Sequence, residues 1–394
     1  MSKKRFSIPY QAFLVAGLCI YLFVGFKIDM GLLQARHAPS GLLEDFGFYE
    51  HALDEAVAGK DPYSIHSIGP GYLYPPPALF IVEIFRYIRP LYFKFLIFSA
   101  INLAILIFMV RGIARYYGYS SREVWYWYVI CLGFAPFFEL LYYGQINAVT
   151  LLGIVLFFLW QDSHPVLSGG GLSLAILTKV SPLVFFVYLA VTRRIKVLVA
   201  AILWTAGWIV LSIFRYGISP TLKYPVLFRW LSSQFPVDNN SQSMLSKIQM
   251  TFGLSFSHSE QQFFQSGLIL YIALLILASA LLTIWGKQSY EPLFLITVIG
   301  MAILPNVMWY HHYVFLLLPF LIWMGWKQLD LRVVAWVLLG LIVIQIDRIL
   351  TYGLLVHIFV QLCILILLVG QVQLFFGERR NSQRQLEKEI RSDS

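Results

Sequence analysis

Five clusters of polar residues interrupt an otherwise apolar chain. Charge near lipid is costly unless it is paired or used, so these clusters are where chemistry is to be sought. The first is acidic: Glu44 and Asp45 precede Phe46, Phe48 and Tyr49, with Asp54, Glu55 and Gly59-Lys60-Asp61-Pro62-Tyr63 following. A carboxylate held just above a membrane can take a proton from a hydroxyl, and the aromatic side chains beside it are platforms for sugar rings. The same acids also suit the first turn of a helix, where Asp is a favoured cap and negative charge complements the dipole. The second cluster is Tyr72 and Tyr74 followed by Pro75-Pro76-Pro77. Its prolines fix an extended approach and allow a helix to start at the third, so Tyr74 either contacts a ligand or frames a rigid helix start.

The third, Gly144-Gln145-Ile146-Asn147, presents two amides that donate to and accept from hydroxyls; a turn between apolar helices needs polar residues as well. The fourth is Lys179, one ammonium in an apolar run. Phosphate is its natural partner, and the alternatives are snorkelling or pairing with an acid such as Glu139. The fifth runs from Pro305 to Tyr313 and holds Trp309, His311 and His312. Neighbouring imidazoles at an interface bind phosphate or shuttle a proton, whereas a zinc pair would need an HExxH or cysteine partner that the sequence lacks.

The elements that must position these groups follow from composition. Of 394 residues, 59% are hydrophobic and 12% charged, about half the charged share of about 25% in a soluble domain. Mean hydropathy is +0.72. Residues 200–211 and 354–372 are apolar all round, as membrane helices require. A single soluble globule is excluded, and an all-α polytopic membrane protein is expected. The net charge of +9 falls in short clusters between apolar spans. That is the positive-inside pattern and not a nucleic-acid face. Cys19, Cys131 and Cys363 lie in apolar segments without metal or redox spacing.

The N-terminal basic residues and the apolar run to Phe26, with no small-residue cleavage site before Lys27, predict an uncleaved first helix starting in the cytoplasm. Residues 31–90 form a first extracytoplasmic loop, with an interfacial helix over 77–89. Spans follow over 92–110, 124–141 and 148–160. Residues 169–192 read as two half-spans meeting at Lys179-Val180-Ser181-Pro182, since proline cannot continue a helix. After a span over 197–213, residues 216–264 make a second extracytoplasmic loop containing Asn239-Asn240-Ser241-Gln242-Ser243. Further spans run over 266–285, 292–304, 313–326, 331–346 and 353–376. Residues 1–376 thus make one integral-membrane domain of about twelve crossings, and the charged tail 377–394 is cytoplasmic and without regular structure. Both termini are cytoplasmic, and all five clusters map to the far side.

The order of the clusters says more than any one of them. An Asp-Phe-x-x-Tyr, a Gly-Lys-Asp-Pro-Tyr, a Tyr-Pro-Pro, a Gly-Gln-x-Asn, a Lys-x-x-Pro, a Ser-Gln-Ser and a Trp-x-His-His-Tyr occur in that succession. In this the chain resembles the GT-C membrane glycosyltransferases of glycosyltransferase family 87, the polyprenol-phosphate-mannose-dependent α-1,2-mannosyltransferases, over residues 40 to 320 or so. The resemblance implies a GT-C type bundle in a bacterial plasma membrane, moving a hexose, mannose in that family, from a polyprenyl-phosphate sugar to a glycolipid or cell-envelope glycan. It places Asp45 as the general base of an inverting displacement, with Glu44 beside it as a second base. Lys179, His311 and His312 become the phosphate-binding residues. Glu44, Tyr49, Tyr74, Gln145, Asn147, Asn240, Gln242 and Trp309 become substrate contacts, and no metal ligand is assigned. In keeping with a lipid donor, the sequence has no GxxxxGK loop and no soluble domain for a nucleotide sugar. The reading from another class is a transporter or flippase for a lipid-linked saccharide, which needs a polar route through the middle instead of polar clusters on one face.

Overall fold

The computed structural model describes residues 8–35, 42–63, 71–237, 241–286, 288–328, 330–349 and 354–392. Among them the chain is helical, with no strand. Helix α1 (Ile8–Ala35) continues past Phe26, with Lys27 lying 5.8 Å from the centre of the Phe23 ring one turn back. Outside the bundle α2 (Glu44–Val57) carries the acidic cluster. The expected interfacial helix is shorter than its apolar pattern: a 3-10 turn, Pro76–Ala78, leads into α3 (Leu79–Glu83), which stops there. Glu83 is claimed by Arg215 and Tyr216, and Arg86 by Asp54 at 2.9 Å. Polar partners on two sides cannot share the one polar face of an interfacial helix.

Then come α4 (Leu91–Tyr117), α5 (Ser121–Leu132) and α6 (Ala135–Tyr143). The pair α5 and α6 occupies the expected single span and bends by 55°, at Gly133 and Phe134. Helices α7 (Asn147–Trp160) and α8 (Pro165–Thr178) form a hairpin. The break follows as expected: Pro182 lacks an N–H and would clash with the carbonyl of Thr178, so α8 ends and a 3-10 turn, Ser181–Val184, leads into α9 (Phe185–Val191). After helix α10 (Ile195–Tyr216), α11 (Ser219–Ser232) and α12 (Met244–Phe252) occupy the stretch read as the second loop. The bundle closes with α13 (His258–Trp285), α14 (Glu291–Ile303), a 3-10 segment Tyr310–Leu316, α15 (Leu317–Trp326), α16 (Leu331–Ile349) and α17 (Leu355–Ser392). Helix α17 runs through the tail expected to lack structure, because residues after Gly377 include good helix formers and neither Gly nor Pro.

Among the described residues four helices are long and apolar enough to cross a membrane: α4, α10, α13 and residues Leu355–Gly377 of α17, or five with the bent pair. Their outer faces present apolar side chains such as Leu203, Phe214, Leu270 and Leu274, which only lipid can cover without penalty. This is an all-α membrane protein. At its centre, Pro292 to Ile303 of α14, the segment Tyr310–Leu316 and most of α15 are buried.

Helices α7, α8 and α10 are locked by small residues. A Cβ added at Gly153 would lie 2.5 Å from the carbonyl oxygen of Gly171, one at Gly171 2.8 Å from the Cβ of Leu156, and one at Gly169 2.6 Å from the Cβ of Ala200. Backbones in such contact gain dispersion along their length, and overpacking them costs about 1–3 kcal/mol. Gly171→Leu should therefore lower the melting temperature in detergent by several degrees. Gly207→Leu, whose Cβ meets nothing within 4 Å, should leave it unchanged.

Candidate active site

The acidic end of α2 is fixed by backbone before any side chain acts. Leu43, in the left-handed region with φ 57°, donates its N–H to the carbonyl of Tyr142 at 2.8 Å, pinning the start of α2 to the end of α6. Helix α6 ends at Gly144, at φ 75°, and a Cβ there would lie 2.7 Å from the Cβ of Phe46. Only glycine meets both demands. The turn throws Gln145 towards α2. Glu44 and Asp45 occupy the first turn of α2 without capping it. The Asp45 carboxylate instead accepts a hydrogen bond from Nε2 of Gln145.

The other end of that amide is equally committed. Oε1 of Gln145 accepts from the hydroxyls of Tyr49 and Tyr74, each at 2.9 Å. An ionised carboxylate has no proton to give, so the amide turns its Nε2 to Asp45 and its Oε1 to the phenols, which can donate to it. Tyr74 is held in turn, since its carbonyl accepts from the hydroxyl of Tyr63 at 3.0 Å.

These residues line one wall of a cavity of about 770 Å³. Three interruptions of helix line the others: Lys179 to Val184 after α8, Pro305 to Trp309 after α14, and His311 with His312 in the 3-10 segment. Thus Glu44, Asp45, Tyr49, Tyr74, Gln145, Lys179, Trp309, His311 and His312, distant in sequence, meet in one hollow. Its lining also includes the exposed apolar side chains Leu183, Phe228 and Ile269.

Lys179 sits 5.4 Å from the centre of the Phe315 ring and has no carboxylate partner among the described residues. The expected alternative, a pair with Glu139, is not formed. Glu139 lies instead 3.6 Å from Nδ1 of His311 and, through its other oxygen, 3.6 Å from Arg348. His312 accepts at Nδ1 from the N–H of Trp309 at 3.3 Å, so a neutral ring carries its proton on Nε2. The half-buried Asp45 has its carboxyl pushed above the ordinary range, chiefly by loss of water around it. His311 and the Gln145 hydrogen bond pull the other way, and Glu44 and Glu139 add to the rise.

Two sequence candidates lie elsewhere. Asn147 is fully buried at the start of α7, outside the cavity lining. Gln242 is buried away from it, its N–H donating to the carbonyl of Met308 at 2.7 Å and its carbonyl accepting from Nε2 of His357 at 2.9 Å. It braces the wall that carries Trp309. Asn240 lies outside the described residues. Conversely, Glu139 and Arg348 line the cavity. Arg348 escaped notice because the apolar pattern of its helix stops short of it, although a charge next to an apolar run is itself a signal. Among the described residues no group of three His, Cys, Asp or Glu side chains is placed to hold a metal ion.

Residues 72–309 match the family model of glycosyltransferase family 87. The chain belongs to this family. The match embraces the cavity wall from Tyr74 to Trp309 and so makes this membrane protein a glycosyltransferase. Asp45, His311, His312 and Arg348 lie outside the matched residues and join the family's wall through the fold. No curated protein matches the sequence significantly.

Burial and the Gln145 bond act on Asp45 in opposite directions, which gives a direct check. In an infrared titration the Asp45 carboxyl, identified by its loss in Asp45→Asn, should protonate above the ordinary value of about 4. Gln145→Leu removes the donor that favours the charged form, so the midpoint should rise further; a fall would contradict this electrostatic account.

Proposed function

We propose that this family 87 glycosyltransferase moves a hexose, mannose by the resemblance, from a polyprenyl-phosphate sugar to a hydroxyl of a glycolipid or cell-envelope glycan. The observation that carries the reading is Lys179. A cation that lines a cavity with no carboxylate partner among the described residues calls for an anionic ligand. The exposed apolar residues of the lining, Leu183, Phe228 and Ile269 among them, suit a ligand whose anionic head carries an isoprenoid tail. The membrane then supplies proximity, because a tail soluble only in lipid brings its headgroup to the interface.

Asp45 is the base in this mechanism. Its carboxylate takes the proton of the acceptor hydroxyl as that oxygen bonds to the anomeric carbon. The bond from that carbon to the phosphate oxygen breaks on the opposite face, and polyprenyl phosphate leaves with the electron pair. Configuration inverts in the single displacement. Gln145 keeps the carboxylate aimed, its own amide set by Tyr49 and Tyr74. Lys179 and the ring N–H groups of His311 and His312 offset charge on the leaving phosphate. Trp309, Tyr74 and Glu44 line the remaining space for sugar and acceptor.

In this reading the cavity faces the extracytoplasmic side of a bacterial plasma membrane and both termini are cytoplasmic. The shorter apolar helices, Asn147–Trp160, Pro165–Thr178, Ser181–Val191 and Glu291–Ile303, cross with the longer ones towards the twelve passages of a GT-C type bundle. The transporter or flippase reading is disfavoured by the family.

The test is transfer of labelled mannose from polyprenyl-phosphate-mannose by the purified protein in lipid. Asp45→Asn should cut kcat by about 10²–10⁴ with donor affinity retained. Full activity would remove Asp45 as the base. In the unaltered enzyme kcat/KM should rise with pH as Asp45 loses its proton, with a midpoint above the ordinary carboxylate range of about 4. Lys179→Ala should weaken donor binding about tenfold or more, and unchanged binding would take Lys179 off the phosphate.

A further inference from the structure

The cavity contains a carboxylate that the proposed mechanism does not use. Glu139, on α6, is only 6% exposed, and its two oxygens face His311 and Arg348, each at 3.6 Å. A closed charge-assisted hydrogen bond between such groups spans about 2.7–2.9 Å. At the distances found Glu139 and Arg348 attract, but no hydrogen bond fixes either partner. Neither ring nitrogen of His311 has a hydrogen bond among the described residues.

The cations are supported from beneath instead. Arg348 lies over the Tyr310 ring at 5.3 Å, and Lys179 over the Phe315 ring at 5.4 Å. Both rings belong to the 3-10 segment that also supplies His311 and His312. A guanidinium resting on a ring face keeps its N–H edge free to turn. Asp45 feels the charges of this cluster but gives its hydrogen bond to Gln145.

We propose that Glu139 is a resident counter-ion that competes with the donor phosphate for Arg348, so that the guanidinium passes from carboxylate to phosphate as the donor binds and back as polyprenyl phosphate leaves. The proposal rests on the phosphosugar reading of the cavity. Between turnovers the pairing keeps a buried carboxylate and a cation from standing alone, which would be costly for either. With donor present, phosphate offers the guanidinium a planar, two-pronged match that a carboxylate 3.6 Å away does not. Once the sugar has gone, the phosphate carries a second negative charge. Glu139 both repels it and offers Arg348 a return partner. Glu139 makes and breaks no covalent bond in this exchange; it is a positioning residue. Arg348 becomes a further phosphate-binding residue, beyond the end of the matched family segment.

The test measures affinity of the full chain in lipid nanodiscs for a polyprenyl monophosphate and for the matching polyprenol. Glu139→Gln keeps the shape and removes the competing charge. It should tighten monophosphate binding severalfold, lower kcat because release slows, and leave polyprenol affinity unchanged. A merely structural glutamate would weaken both ligands. Arg348→Gln should weaken monophosphate binding about tenfold or more, with partial recovery in ethylguanidinium; this arm decides should Glu139→Gln not fold. Unchanged or weaker monophosphate binding in Glu139→Gln, or unchanged binding in Arg348→Gln, overturns the exchange. The phosphosugar reading survives that result if the unaltered protein still prefers monophosphate to polyprenol. Loss of that preference in the unaltered protein overturns the reading itself.

Discussion

The hydrogen bond from Gln145 to Asp45 joins α2 to the turn after α6, and the rest of the site is arranged around it. Its direction is set by the ionised carboxylate, which can only accept, and the two phenols answer by donating to Oε1. The bond also reconciles two opposing demands on Asp45. Burial raises the affinity of the carboxyl for its proton, as suits a base that must pick one up, while the amide keeps the ionised form within reach. That amide is delivered by Gly144, where α6 must turn through a left-handed residue packed against Phe46.

A second constraint explains why the cavity lies where it does. Non-helical backbone among membrane helices is tolerated where it is covered by protein or lines a hollow, since lipid cannot satisfy its polar groups. Here the turn at Gly144, the break at Lys179 and the break after α14 all border the same hollow. The interruptions that would weaken an isolated helix are the positions from which polar side chains reach the cavity. The surrounding α7, α8 and α10 compensate by packing backbone against backbone at Gly153, Gly169 and Gly171.

Much of this is legible in the amino-acid order. Apolar runs without a polar face locate α4, α7, α10 and α13, and Pro182 marks the break beside Lys179, because lipid exposure and proline sterics act locally. What depends on three-dimensional placement is not legible. Gln145 and Asn147 offer the same chemistry two residues apart, yet the turn sends one to Asp45 and the other into packing. Gln242 reads as a ligand contact and acts as a brace through its backbone. Charge matching suggests Glu139 for Lys179, whereas the fold gives Glu139 to His311 and Arg348. The short α3 shows the same limit, since its end is set by partners on α2 and α10 rather than by its own apolar pattern.

The central claim is that one cavity holds an anionic lipid headgroup between Lys179, which has no carboxylate partner among the described residues, and the half-buried Asp45. A cryo-electron microscopy map of the protein in nanodiscs with a polyprenyl monophosphate tests it directly. The account predicts phosphate density within about 3 Å of the Lys179 ammonium, with the isoprenoid chain leaving past Leu183 and Ile269 and Asp45 facing the phosphate across the space for a sugar. Phosphate density outside this cavity, or an isoprenoid chain that reaches it with its head turned away from Lys179, would contradict the account.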